Sequence, residues 1–128
     1  MKIAGIIAEY NPFHNGHKYH IEKTRELTGA THIVAVMSSN YVQRGETSLM
    51  SKWARAEAAV KNGVDLVVEL PTLWSSSYAQ RFALGGVDLL NSLGCVDIIS
   101  FGSENGNIDE LIDCRDALQS EEKKKKIK

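Results

Sequence analysis

Cysteine, net charge and long apolar runs are all scarce in this chain. Two cysteines, Cys95 and Cys114, stand among 128 residues and form no Cys-x-x-Cys pair. That argues against a disulfide framework or a zinc-ribbon pattern, and both are expected to be small residues in or near the core. The formal net charge is −1, so no bulk electrostatic attraction draws the chain to nucleic acid. No apolar run approaches the ~18 residues of a membrane-spanning helix. The first residues, Met1 to Gly5, turn polar too soon for a secretion signal, and a cytoplasmic location is the expectation. What is present, 43% hydrophobic and 24% charged residues, is the balance of a globular domain with a modest core.

The charge that exists is unevenly placed. Lys123 to Lys126 and Lys128 make a basic end, with Glu121 and Glu122 spaced to pair at i,i+4 with Lys125 and Lys126. No aromatic residue interleaves with these lysines, which favours a solvated helix end or linker over 119–128 rather than a nucleic-acid surface. Residues 1–118 then form the domain proper.

Four short apolar runs recur at a steady interval: Ile3–Ala8, His32–Met37, Asp65–Leu70 and Val96–Phe101. Their near-continuous apolar character predicts strands buried on both faces. Helical patterns lie between them, over Asn15–Thr28, from the N-cap Ser51 to Asn62, and over Tyr78–Leu93. Gly29, Gly63 and Gly94 stand just past the ends as stops. A last helix is predicted over Ile108–Leu118. Alternation of this kind predicts an α/β fold, a three-layer Rossmann-like parallel sheet with strand order 3-2-1-4. Two long segments follow strands, Ser38 to Met50 and Pro71 to Ser77. Both are expected at the carboxyl edge of the sheet, where open α/β sheets bind ligands. Four parallel strands make a thin sheet, so the front part of a longer protein is the expectation.

The chemistry concentrates after the first strand, in Asn11-Pro12-Phe13-His14-Asn15-Gly16-His17-Lys18-Tyr19. A glycine at a helix start lets the backbone approach a ligand, and the first helical amides with the helix dipole favour an anion there. His14 and His17 can donate ring N–H hydrogens to phosphate oxygens. Donors already placed where negative charge grows lower the barrier to attack at an α-phosphate. In the first helical turn, His17 is expected to add its own charge to the helix field. Pro12 fixes its own φ and biases Asn11 to an extended conformation. Asn11 either shapes that turn or meets a phosphate, and Lys18 is either a phosphate partner or a solvated surface lysine.

A competing reading makes His14, His17 and His20 metal ligands, but no carboxylate or cysteine completes a recognisable set and no metal site is assigned. The loop after the second strand carries Arg44 beside Gly45, a forked donor for a carboxylate or phosphate. In Ser51-Lys52-Trp53-Ala54-Arg55, Trp53 is expected in the core, with Lys52 and Arg55 toward the ligand edge. In a 3-2-1-4 sheet a crevice opens between the ends of strands one and four. The His14–His17 loop forms one wall, and Gly102 and Ser103 form the other.

These blocks together carry a resemblance. Asn11-Pro12-Phe13-His14-Asn15-Gly16-His17 resembles the His-x-Gly-His motif of the nucleotidyltransferase superfamily. Adding Ala8-Glu9-Tyr10, Gln43-Arg44-Gly45-Glu46, Ser51-Lys52-Trp53-Ala54-Arg55, Gly63 to Pro71 and Phe101-Gly102-Ser103-Glu104-Asn105-Gly106, residues 1–118 resemble the bacterial tRNA(Met) cytidine acetate ligases. The resemblance implies a nucleotidyltransferase-type (HUP) fold. It also implies activation of acetate by ATP to acetyl-adenylate, and acetyl transfer to N4 of the wobble cytidine of elongator tRNA(Met). The implied nucleotide contacts are Ile7, Ala8, Glu9, Tyr10, Asn11, Pro12, Phe13, His14, Asn15, Gly16, His17, Lys18, Tyr19 and His20, with Gly102 and Ser103. His14 and His17 take the phosphate roles, and Arg44 is the candidate positive group for acetate, so these three are the candidate catalytic residues. Mg2+ is expected as the partner of the ATP phosphates, with no local carboxylate cluster to name its ligands. That family is much longer, and its second nucleotide-binding segment would fall beyond Lys128. Two other functions share the loop. One is a cofactor-type nucleotidyltransferase that adenylylates a phosphorylated acceptor, and the other is a truncated, non-catalytic nucleotide-binding module.

Overall fold

The computed structural model describes residues 1–42 and 45–101, together with the backbone of 110–113. Its elements run β1 (Ile3–Ala8), α1 (Asn15–Thr28), β2 (His32–Ser38), α2 (Lys52–Lys61), β3 (Leu66–Leu70), α3 (Thr72–Ser75), α4 (Ala79–Ser92), β4 (Ile98–Phe101) and β5 (Glu110–Asp113). The sheet order is β3-β2-β1-β4-β5. The first four strands are parallel, in register Ile6 with Ala35, Val36 with Val68, and Gly5 with Ile99. The parallel 3-2-1-4 core is the expected one.

Alternation along β2 builds the two sides. Ile33, Ala35 and Met37 join Ala4, Ile6, Ile21 of α1 and Ala59 of α2 in one core cluster. Val34 and Val36 face the other way and join Leu70, Phe82 and Leu90 of α4, and Ile99. Successive side chains of a strand point to opposite faces, so a strand covered on both sides is apolar throughout. The result is three layers, with α1 and α2 on one face and α4 on the other. Helix α4 comes close because Gly85 and Gly86 carry no side chain. A Cβ on Gly86 would meet three Ile7 carbons at 2.8 Å, and one on Gly85 would meet Trp74 at 2.8 Å.

Two expectations fail here. Glu110–Asp113 lies within the predicted last helix, yet it is a strand antiparallel to β4, pairing Ile99 with Ile112. The edge of β4 presents unpaired backbone groups, and satisfying them outweighs the helix preference of a short segment. The remainder of that predicted helix, Cys114 and the lysine-rich end lie outside the described residues. The segment after Pro71 is not all loop, since Thr72–Ser75 forms the short α3. Among the described residues, no helix is long and apolar enough to cross a membrane.

Candidate active site

The site begins where β1 ends. Tyr10 has φ 50°, a left-handed conformation that few non-glycine residues adopt, and it reverses the chain before the cis Asn11–Pro12 bond. Its ring is buried and packs edge-on against Phe13 (centroids 4.8 Å) and His17 (4.9 Å). Its hydroxyl is buried with no hydrogen-bond partner among the described residues, and desolvation pushes its pKa well up. Asn11 does not face outward alone. Its Oδ1 accepts from the Leu49 N–H at 2.7 Å, tying the long loop after β2 to the turn after β1.

His14 is the N-cap of α1, with extended backbone (φ −140°, ψ 179°), and the two histidines cap the helix reciprocally. His14 Nδ1 accepts from the Gly16 N–H at 3.0 Å, and His17 Nδ1 accepts from the His14 N–H at 3.1 Å. This is a capping box in which imidazoles take the places usually held by Ser/Thr and Glu/Gln. The rings stack with centroids 3.7 Å apart, tilted by 24°. Each Nδ1 is an acceptor, so each Nε2 is the ring atom that carries hydrogen. Burial lowers the His17 pKa to about 4, with His14 and His20 adding to the effect. His17 is therefore neutral at pH 7. This corrects the expectation of a cationic His17, because desolvation and its neighbours oppose a second proton.

The glycine of the motif also reads differently. A Cβ on Gly16 would stand 2.9 Å from His14 Cε1 and 3.0 Å from Nδ1. The bare position makes room first for the capping imidazole.

A cleft of about 360 Å³ opens beside the pair, lined by Glu9, Tyr10, Asn11, Pro12, His14, His17, Val42 and Glu46. It lies at the carboxyl ends of β1 and β2, the expected edge of the sheet. Two carboxylates, Glu9 and Glu46, are in its walls. Among the described residues no group of three His, Cys, Asp or Glu side chains is placed to hold a metal. His20 Nε2 lies 2.8 Å from Ser100 Oγ on β4, which also bonds Thr24 Oγ1 at 2.7 Å.

Behind the cleft stands Arg55, 1% exposed. Its buried guanidinium reaches the carboxyl edge of the sheet, and donates to the carbonyls of Glu9 (2.7 Å), Met50 (3.1 Å), Ser38 (3.3 Å) and Ser39, and to Ser38 Oγ (3.2 Å). Burial lowers its pKa while Glu9 and Glu69 oppose the shift, and it stays charged at neutral pH. Lys52 pairs with Glu69 at 2.9 Å.

The remaining predicted residues scatter. Asn15 and Lys18 are exposed, as are Pro12 and Tyr19. Ala8 packs with Phe13 against the α1 side of the core, and Ile7 packs against the α4 side. Trp53 is not a core residue. It is 74% exposed, because Arg55 and Ala59 define the buried face of α2 and position 53 falls opposite. Cys95 is exposed as well, following Gly94 in the left-handed turn after α4. Arg44, Gly102 and Ser103 lie outside the described residues. The sequence reading missed the anchoring role of Arg55 and the contribution of Val42 and Glu46.

Residues 1–128 match the HIGH nucleotidyl transferase family throughout. The chain belongs to that family. Among HIGH nucleotidyl transferases it is 54% identical over 121 residues to the tRNA(Met) cytidine acetate ligase of Clostridium novyi (strain NT), covering 94% of this chain and 30% of that protein. It is 58% identical over 113 residues to the protein of the same name from Geobacillus sp. (strain WCH70), covering 88% and 28% respectively. The crystal structure of Thermotoga maritima TmcAL bound with alpha-thio ATP superposes with a TM-score of 0.79 at 48% identity, over 84% of this chain and 26% of that one. The chain thus spans about 30% of the length of the curated relatives it matches.

Proposed function

We propose that the cleft after β1 binds ATP and activates acetate, as the nucleotide-binding part of a tRNA(Met) cytidine acetate ligase. The observation that carries this reading is the reciprocal capping of His14 and His17, which leaves both Nε2–H donors beside an open cleft at the head of α1. The ATP analogue in the Thermotoga maritima relative, at 48% identity, supports the choice of nucleotide.

In this reading an acetate oxygen attacks the α-phosphorus in line with the bridging oxygen to pyrophosphate. The P–O bond to pyrophosphate breaks, and acetyl-adenylate and pyrophosphate result. Charge grows on the α-phosphate oxygens and the leaving group, where the two Nε2–H donors and the head of α1 stabilise it without reorganising. A neutral His17 donates its Nε2–H here as a dipole, and its charge does not change near neutral pH. The N4 amino group of the tRNA cytidine then attacks the acetyl carbonyl, AMP leaves, and N4 gives up a proton.

Ile7 to His20, with Gly102 and Ser103, make up the proposed nucleotide contact, and Arg44 is the proposed cation for acetate. Magnesium accompanies ATP as the counter-ion of its phosphates and commonly takes only one or two protein carboxylates. Glu9 and Glu46 are the carboxylates in the cleft that fit that role. The tRNA surface belongs to the longer protein, and a cytoplasmic location is part of the same reading.

The test is ATP–pyrophosphate exchange with and without acetate. Exchange that requires acetate and is abolished by His17→Ala is the expected result. Acetate-blind exchange that responds to a phosphorylated acceptor would replace this reading with a cofactor-type nucleotidyltransferase. Nucleotide binding without any exchange would reduce the chain to a binding module.

A further inference from the structure

The cleft has two walls that are distant in sequence. One is the turn from Glu9 to His14 after β1, and the other carries Val42 and Glu46 from the loop after β2. Arg55 joins them from behind. Its Nη1 reaches the Glu9 carbonyl at 2.7 Å and Ser38 at 3.2–3.3 Å, Nη2 reaches the Ser39 carbonyl, and Nε reaches the Met50 carbonyl at 3.1 Å. Three segments, the exits of β1 and β2 and the end of the long loop, converge on one planar group.

The acceptors are carbonyls and a hydroxyl, not a carboxylate. A buried cation held in this way is costly unless every donor is used. A lysine has a point charge and cannot span the same fork.

We propose that Arg55 is a positioning residue for the nucleotide: it sets the spacing of the two cleft walls without touching the ligand. This rests on the nucleotide reading given above.

The experiment compares the parent chain with Arg55→Lys and Arg55→Ala. Folding is followed by circular dichroism, and affinity by titration with a non-hydrolysable ATP analogue and magnesium. The expected result is a folded Arg55→Lys chain whose affinity falls tenfold or more. In Arg55→Ala, millimolar guanidinium should restore affinity where equal sodium chloride or urea does not. Either variant folded and within twofold of the parent's affinity overturns the proposal. If neither variant folds, Arg55 is a stability residue and the proposal is also overturned. If the parent itself does not bind, the nucleotide reading fails and the proposal falls with it, an outcome distinct from a parent that binds and variants that bind equally.

Discussion

Replacing Gly16 with alanine separates two reasons for a glycine at this position. The added Cβ would lie 2.9 Å from His14 Cε1 and 3.0 Å from His14 Nδ1, so the imidazole must swing away. That breaks the Nδ1 bond to the Gly16 N–H and unstacks His14 from His17. Losing a helix N-cap costs about 0.5–2 kcal/mol. Alanine is a better helix former than glycine by roughly 1 kcal/mol in a helix interior, and by less in the first turn. The two effects oppose each other, so net stability should change by only about 1 kcal/mol or less. At roughly 2–8 °C per kcal/mol, Tm should stay within a few degrees of the parent. Nucleotide affinity has no such compensation. A hydrogen bond to a charged group contributes about 1.5–3 kcal/mol. Displacing His14 Nε2–H from a phosphate therefore weakens binding roughly ten- to a hundredfold. Thermal melts and titration with an ATP analogue on the same samples check both halves. A Gly16→Ala chain stabilised by a full ~1 kcal/mol, with affinity unchanged, would show that His14 neither caps α1 nor meets the ligand.

The pH response should follow His17, whose pKa falls from 6.5 in the unfolded chain to about 4 in the fold. The unfolded state binds the extra proton between these values, so this residue's contribution to stability is full above pH 6.5 and declines as pH drops toward 4. Urea melts from pH 8 to 4 test this, and a His17→Ala chain should lose that part of the slope. Asp65 lies at the opposite edge of the sheet. Burial works to raise its pKa, but the Ile33 amide and Arg25 outweigh burial and hold it below the usual carboxylate value. Asp65→Ala should cost about 1–2 kcal/mol by chemical denaturation and leave nucleotide affinity unchanged. Gly86→Ala forces a Cβ to within 2.8 Å of Ile7 and should lower stability by about 1–3 kcal/mol in the same assay, less the helical gain.

The central sheet was legible because burial on both faces leaves a plain signal. Val34 to Met37 is apolar without a break, and only a covered strand tolerates that. The helix ends at Gly29 and Ser51 were legible through capping chemistry, which is local. What failed was set by tertiary context. Glu110–Asp113 pairs because β4 needs an edge partner, and no local pattern carries that need. Trp53 is exposed because Arg55, a residue that propensity would place outside, takes the buried face of α2. At the site, residue types and spacing identified the two histidines. The neutral state of His17, the hydrogen on each Nε2 and the purpose of Gly16 emerged only once the two rings were seen to cap one helix together.

The central claim is that the His14–His17 pair holds a nucleotide at the head of α1. Calorimetric titration of the parent and His17→Ala chains with a non-hydrolysable ATP analogue and magnesium tests it most directly. The account predicts measurable binding by the parent and a loss of tenfold or more in the variant, with the fold retained by circular dichroism. Equal binding by both chains would contradict it and move the nucleotide away from the first loop.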